Sequence, residues 1–139
     1  MKTKTLRQWI TFKVSPHEVY EALMDSRQHS KFTGAKAKIS RAIGGKISAY
    51  DDYVDGVNLE LLPDRRVVQL WRGIDWPEGH YSTATFSLKE VAGGTHLTFT
   101  QAEVPEDQYE SVRQGWHDNY WQPMKRYLER QINRDELKQ

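Results

Sequence analysis

Two stretches of the 139-residue chain hold side chains that could act on a small molecule or grip a partner. The first, WRGIDWPEGH at residues 71–80, sets Trp71 and Trp76 five residues apart ahead of a Pro-Glu-Gly turn that ends in His80. As a hairpin it needs no further role: Pro77 holds Trp76 extended, Gly79 allows the chain to turn sharply, the tryptophans cover the end of the core and His80 bonds locally. As a recognition loop it offers Trp76, Glu78 and His80, since aromatic side chains at a loop tip serve as anchors for partners. The second stretch, GWHDNYW at 115–121, places Trp121 four residues after His117, on one helical face. If that face meets a cavity, His117 could hydrogen-bond a ligand or act as general base. Otherwise it is a partly exposed histidine on the flank of a helix.

Other chemistries find less support. His17, His29, His80, His96 and His117 form no H-x-x-x-H pair, so neither a metal nor a cofactor is expected. The chain has no cysteine, which excludes disulfides, thiolate ligands and a thiol nucleophile. No G-x-S-x-G elbow is present, and GGK at 44–46 lacks the spacing of a phosphate loop and reads as a strand entry. The acidic YDDYVDG at 50–56 could attract a cation, but Asp55-Gly56 suits a solvated hairpin turn. No catalytic residue is assigned.

Charge narrows the partners. Twenty Lys and Arg against nineteen Asp and Glu give a net charge of +1, without the basic stripe of a nucleic-acid binder. No apolar run reaches the roughly twenty residues of a membrane span, and the N-terminal residues lack a signal peptide's apolar core. A cytoplasmic protein is expected. A chain of this length is an ordinary single domain, 1–139, able to bury roughly 68% of its unfolded surface. Its oligomeric state is not legible.

The elements that must position these residues follow from periodicity. TLRQWITFK alternates, with Leu6, Gln8, Ile10 and Phe12 on one face and Arg7, Trp9, Thr11 and Lys13 on the other. SPHE then starts a helix, with Ser15 as N-cap, Pro16 at the first position and Glu18 closing a capping box. DSRQHSKF predicts a second short helix, with Phe32 docking on the core. GGKISAY, VNLELLP, RRVVQLW, YSTATFSLKEV and THLTFTQAEV read as strands, the later ones alternating as one-sided antiparallel sheet does. AGG at 92–94 supplies a tight turn. From about Pro105 to Ile132 the residues Tyr109, Val112, Trp116, Tyr120, Met124, Tyr127 and Leu128 form one helical stripe, with a kink expected near Pro123. The whole predicts an α+β fold: a curved antiparallel sheet wrapped around a long C-terminal helix, with two short helices after the first strand. A cavity between sheet and helix would be lined by Tyr50, Leu59, Trp71, Phe86, Phe99, Trp116 and Tyr120, with His117 beside it.

WRGIDWPEGHYSTATFSL, GGTHLTFTQAEVP and QGWHDNYWQPMK together resemble the C-terminal domain of the activator of the ninety-kilodalton heat-shock chaperone's ATPase. They also resemble the single-domain proteins built on it, within the START-like (SRPBCC, helix-grip) superfamily. The resemblance covers nearly the whole chain. It implies a chaperone-associated regulator that binds without catalysing, through Trp9, Trp76, Glu78 and His80. The two-domain activator grips the chaperone mainly through a separate N-terminal domain; this chain starts at the first strand of the C-terminal one, so weaker binding is expected. The wider superfamily implies instead a carrier of a small apolar ligand. A cyclase- or hydrolase-like enzyme, pairing His117 with Glu60 or Asp51, ranks third.

Overall fold

In the computed structural model, which describes residues 1–130 and 132, alternation and capping produce the elements they predict. Strand β1 (Thr3–Phe12) buries Leu6 and Phe12 and leaves Arg7, Trp9 and Thr11 outside. Helix α1 (Pro16–Met24) begins at a capping box. Ser15 Oγ accepts from the Glu18 amide at 3.3 Å, and the Glu18 carboxylate accepts from the Ser15 amide at 3.2 Å. Helix α2 (Ser26–Thr33) is capped by Asp25 and ends at Gly34 in the left-handed region, with His29 and Phe32 buried.

Six further strands follow: β2 (Lys38–Ile39), β3 (Lys46–Ala49), β4 (Val54–Leu62), β5 (Arg66–Gly73), β6 (Ser82–Val91) and β7 (Gly94–Pro105). They join β1 in one curved antiparallel sheet of order β1-β7-β6-β5-β4-β3-β2. β6 and β7 meet across the two-residue turn Ala92-Gly93, with Val91 paired to Gly94. The inner face carries Leu6, Phe86, Phe99, Leu97 and Val67 beneath the helices. The outer face carries Trp9, Thr98 and Ser87 in one row across β1, β7 and β6.

The C-terminal helical run starts with one 3-10 turn (Glu106–Gln108) and continues as α3 (Tyr109–Trp116). A π-helical turn (His117–Trp121) then leads into α4 (Gln122–Leu128). Pro123 sits in the first turn of α4, so the interruption expected near it takes the form of this wide turn. Of the span expected to Ile132, residue 131 lies outside the described residues.

Two expectations need correction. Asp55-Gly56 is not a turn but part of β4, where Gly56 lies so close to β5 that a Cβ would stand 1.9 Å from the Leu70 carbonyl oxygen. The turn comes earlier, with Tyr50, Asp51 and Asp52 all at positive φ (51°, 55° and 74°). Three such non-glycine residues in a row cost on the order of 1 kcal/mol each. Ser48 holds the Asp52 carboxylate, and Lys36 is bonded to Asp51 through both backbone and side chain. Leu59 does not line the interior. Val54, Gly56 and Asn58 set the inward phase, so Leu59 points outward, 44% exposed, and a bulge between Asn58 and Glu60 then brings Leu61 against the core.

Candidate functional site

The π turn decides which aromatic residues meet. With a wider turn, Trp116 and Trp121, five residues apart, stack at 5.3 Å and 23° while Tyr120 also stays inside. Around them gather Phe99 (4.4 Å from Trp116), Phe86 (5.8 Å) and Trp71 (5.6 Å). Each such pair contributes about 0.5–1.5 kcal/mol beyond the area it buries.

Polar bridges thread this cluster. Trp116 Nε1 donates to Gln101 Oε1, Gln101 Nε2 donates to Ser82 Oγ, and Ser82 Oγ donates to the Trp71 carbonyl, all within 2.7–2.8 Å. Gln69 donates to Asn58 at 3.0 Å, and Asn58 ties β4 to the carbonyls of Ser40 and Ala42. At the edge of the sheet, Trp121 Nε1 donates to Gln8. Glu129, buried, accepts from the Lys13 amide at 3.1 Å and from Lys125 at 2.9 Å.

Tyr50, Trp71, Phe86, Phe99, Trp116 and Tyr120 therefore come together, but they fill the space between sheet and helix rather than enclose a large cavity. What remains inside is a void of about 20 Å³, lined by Leu23, His29, Val54, Trp71, Trp116 and Tyr120 among others. Outside it, between the Tyr50–Tyr53 turn and α3, an open cleft of about 430 Å³ shares Val54, Trp71, Trp116 and Tyr120 with the void. The Tyr50 hydroxyl bonds to the Asn119 carbonyl on the π turn, and the Tyr50 ring meets Tyr120 edge-on at 5.5 Å. Burial pushes the Tyr50 hydroxyl up to about 12. The Tyr53 hydroxyl reaches about the same value through burial and its 2.6 Å bond to Asp75.

His117 is not part of this site. It is exposed, bonded through Nδ1 to Asp118 at 2.9 Å, because the π turn directs Tyr120 and Trp121 inward and leaves His117 outside. Glu60 pairs with Arg66, and Asp51 accepts from the Lys36 amide, so neither is engaged with His117.

The WPEGH loop also differs from a free recognition tip. Trp76 is buried at 3% exposure against Trp71, its ring lying over Gly73, where a Cβ would stand 2.9 Å from Trp76 Nε1. Arg72 draws the loop back by donating to the carbonyls of Trp76 and Pro77. His80 Nε2 donates to the Glu103 carbonyl at 2.7 Å. Only Ile74, Asp75, Pro77, Glu78 and Gly79 are exposed here, and Trp9, 67% exposed, stands apart on the outer sheet face.

Sequence reasoning passed over His29. It is 6% exposed, its Nδ1 lies 3.2 Å from the Leu23 carbonyl, and burial pushes its pKa down to about 4. Among the described residues, two buried side-chain atoms lack a hydrogen-bond partner, and His29 Nε2 is one; the other is Trp76 Nε1. A lone histidine with no motif around it gives no signal in sequence. Among the described residues no group of three His, Cys, Asp or Glu could hold a metal ion, and no helix is long and apolar enough to cross a membrane.

Residues 13–129 match the model of a family described as activator of Hsp90 ATPase homolog 1-like protein. The chain belongs to that family. Activator of 90 kDa heat shock protein ATPase homolog 1 of Homo sapiens is 34% identical over 115 residues, covering 83% of this chain and 34% of the human protein. The corresponding activator homolog of Dictyostelium discoideum is 33% identical over 119 residues, covering 84% and 31%. The chain thus spans about a third of the length of these relatives. A crystal structure of an HSP90 activator from Plasmodium falciparum superposes with a TM-score of 0.78 at 25% identity, covering 84% of this chain and 89% of that one. The solution structure of the Aha1 dimer from Colwellia psychrerythraea, 22% identical, gives 0.79 over 91% and 96% and shares the fold. The Hsp90-activator family and the helix-grip architecture thus coincide in this chain.

Proposed function

We propose that residues 1–139 act as one binding domain, a cytoplasmic regulator associated with a ninety-kilodalton heat-shock chaperone. Membership of the activator family carries this reading. The surface that suits it keeps Trp9 and Glu78 of the residues first expected, without Trp76. Trp76 serves the core, so the partner-facing residues are Trp9, on the outer sheet face, and the exposed Ile74 and Glu78 of the connection between β5 and β6. Nothing catalytic is required of His117.

An amide NMR titration of the labelled protein with the chaperone from the same host tests this. Shifts at Trp9 or at Ile74 and Glu78, weakened in Trp9→Ala, support it. A spectrum unchanged at saturating chaperone rejects it.

A second reading has a specific observation behind it. The open cleft beside Tyr50, about 430 Å³ and walled by Tyr53, Trp71, Trp116 and Tyr120, is of a size for a small apolar ligand. On this reading the domain is a carrier or sensor, and the ligand enters from the turn rather than filling the sheet–helix interior.

A further inference from the structure

We infer that the cleft takes a neutral aromatic molecule bearing one hydroxyl group, and that this hydroxyl donates a hydrogen bond to Nε2 of His29. The inference rests on the ligand-binding reading above and gives it a chemical class.

The tautomer of His29 settles what its free nitrogen can do. A backbone carbonyl only accepts, so the contact with Leu23 places the proton on Nδ1. In the neutral ring Nε2 is then a bare lone pair. It has no partner among the described residues, and it belongs to a side chain that is more than nine-tenths buried. Burial keeps the ring neutral at physiological pH. The lone pair therefore needs a donor.

The void that His29 lines holds about 20 Å³, room for one water-sized oxygen and nothing larger. Of the other polar side chains in its wall, Ser48 donates to Asp52, Gln69 to Asn58 and Trp116 to Gln101, and the Tyr120 ring meets His29 edge-on at 5.4 Å. The rest of the wall is apolar apart from Tyr120 and the Trp71 and Trp116 rings, which are also walls of the cleft. A molecule whose body fills the cleft can thus reach the void with a single oxygen once the Tyr120 ring moves aside.

The charge of that group is limited by the same geometry. A carboxylate would set its own lone pairs against Nε2, and an ammonium would bring an unpaired charge into an apolar wall. A hydroxyl supplies the donor without either cost. The five rings lining the cleft, Tyr50, Tyr53, Trp71, Trp116 and Tyr120, favour a flat aromatic body. Tyr50 acts as the latch: its hydroxyl on the Asn119 carbonyl and its ring on Tyr120 hold the passage shut.

The test compares 4-propylphenol with 1-fluoro-4-propylbenzene, a body of nearly the same size without the donor, by NMR titration of labelled protein. The phenol is expected to bind at least tenfold more tightly, to move the amides of Trp116 and Tyr120, and to shift the His29 Nε2 resonance. His29→Phe should abolish the difference between the two compounds. Tyr50→Phe, a milder change, should tighten both without altering their ratio, which keeps the test informative if His29→Phe does not fold. Equal affinities in the wild-type protein overturn the hydroxyl assignment while leaving an apolar ligand in the cleft. No shift at Trp116 or Tyr120 with either compound overturns both readings of the cleft. The chaperone titration is independent of all these outcomes.

Discussion

The indole nitrogen of Trp116 donates to the side-chain oxygen of Gln101 at 2.8 Å, joining the end of α3 to the middle of β7 inside the core. Gln101 passes the connection to Ser82 and so to the Trp71 carbonyl. An apolar sheet face would bury as much surface, but it would leave the indole N–H without an acceptor.

Gln101→Leu should therefore destabilise the protein by about 2–4 kcal/mol, because Trp116 Nε1 loses its acceptor and Ser82 Oγ loses one of its two partners in a dry site. Urea unfolding measures it, with the Trp116 indole proton as a local probe. A loss under about 0.5 kcal/mol would mean that the neighbours repack and the relay contributes little.

Trp76 and Trp9 should behave in opposite ways. Trp76→Ala removes a side chain 3% exposed and packed on Trp71, at about 3–5 kcal/mol. Trp9→Ala removes one that is 67% exposed and should change stability by less than about 0.5 kcal/mol. Thermal melts of the two variants decide it; equal destabilisation would contradict the burial assigned to Trp76. Only Trp9→Ala is thus a clean probe of partner binding.

Stability should fall in mild acid because of His29. Its folded pKa, about 4, lies below the ordinary 6.5 of an unfolded histidine. Above pH 6.5 both states are neutral there and the contribution is complete. Between 6.5 and 4 the unfolded chain takes up a proton that the folded one refuses, so stability drops as pH falls, by at most about 3 kcal/mol. His17, raised by its hydrogen bond and attraction to Asp64, tilts the curve the other way. The quantity to measure is the difference in urea midpoint between wild type and His29→Leu from pH 7.5 to 4.5. A difference constant across that range would show that His29 is charged, or equally accessible, in both states.

Gly56→Ala should be among the most damaging single-methyl changes. The new Cβ would meet backbone, the Leu70 carbonyl oxygen, and not a side chain that can swing away. β4 and β5 would have to separate locally, at about 3 kcal/mol or more. A urea midpoint matching wild type would show that the strands tolerate the shift.

The helix-grip order was legible because its signals are local. Ser15 and Glu18 specify a helix start whatever lies around them, and the alternation from Leu6 to Phe12 specifies an inward face. What stayed open or was misread lies where distant parts decide. Trp-Pro-Glu-Gly-His suits an exposed tip as well as a folded-back one, and the outcome depends on Arg72 reaching the Trp76 carbonyl and on Gly73 leaving room for the indole. The usual helical spacing predicted His117 beneath Trp121; two tryptophans five apart ahead of Pro123 were the sign of a wider turn. Asp55-Gly56 looked like a turn because glycine permits one, yet here glycine serves close strand contact. His29 became visible only once Leu23 and the void were in place around it.

The pairing of β1 with β7 has a consequence in time. Thr3 lies opposite Pro105, and Phe12 opposite Thr95, so the strand made first must wait for the strand made last. At roughly 5–20 residues per second on the ribosome, that wait is on the order of 5–20 seconds. Throughout it, Leu6 and Phe12 have no β7 to cover them, and the backbone of β1 has no neighbour within the sheet. Closing so long a loop also places this domain among slow folders, since the contacts that reward the closure come only at its end. A nascent chain of this design depends on its surroundings to shield one strand until the sheet can take it in.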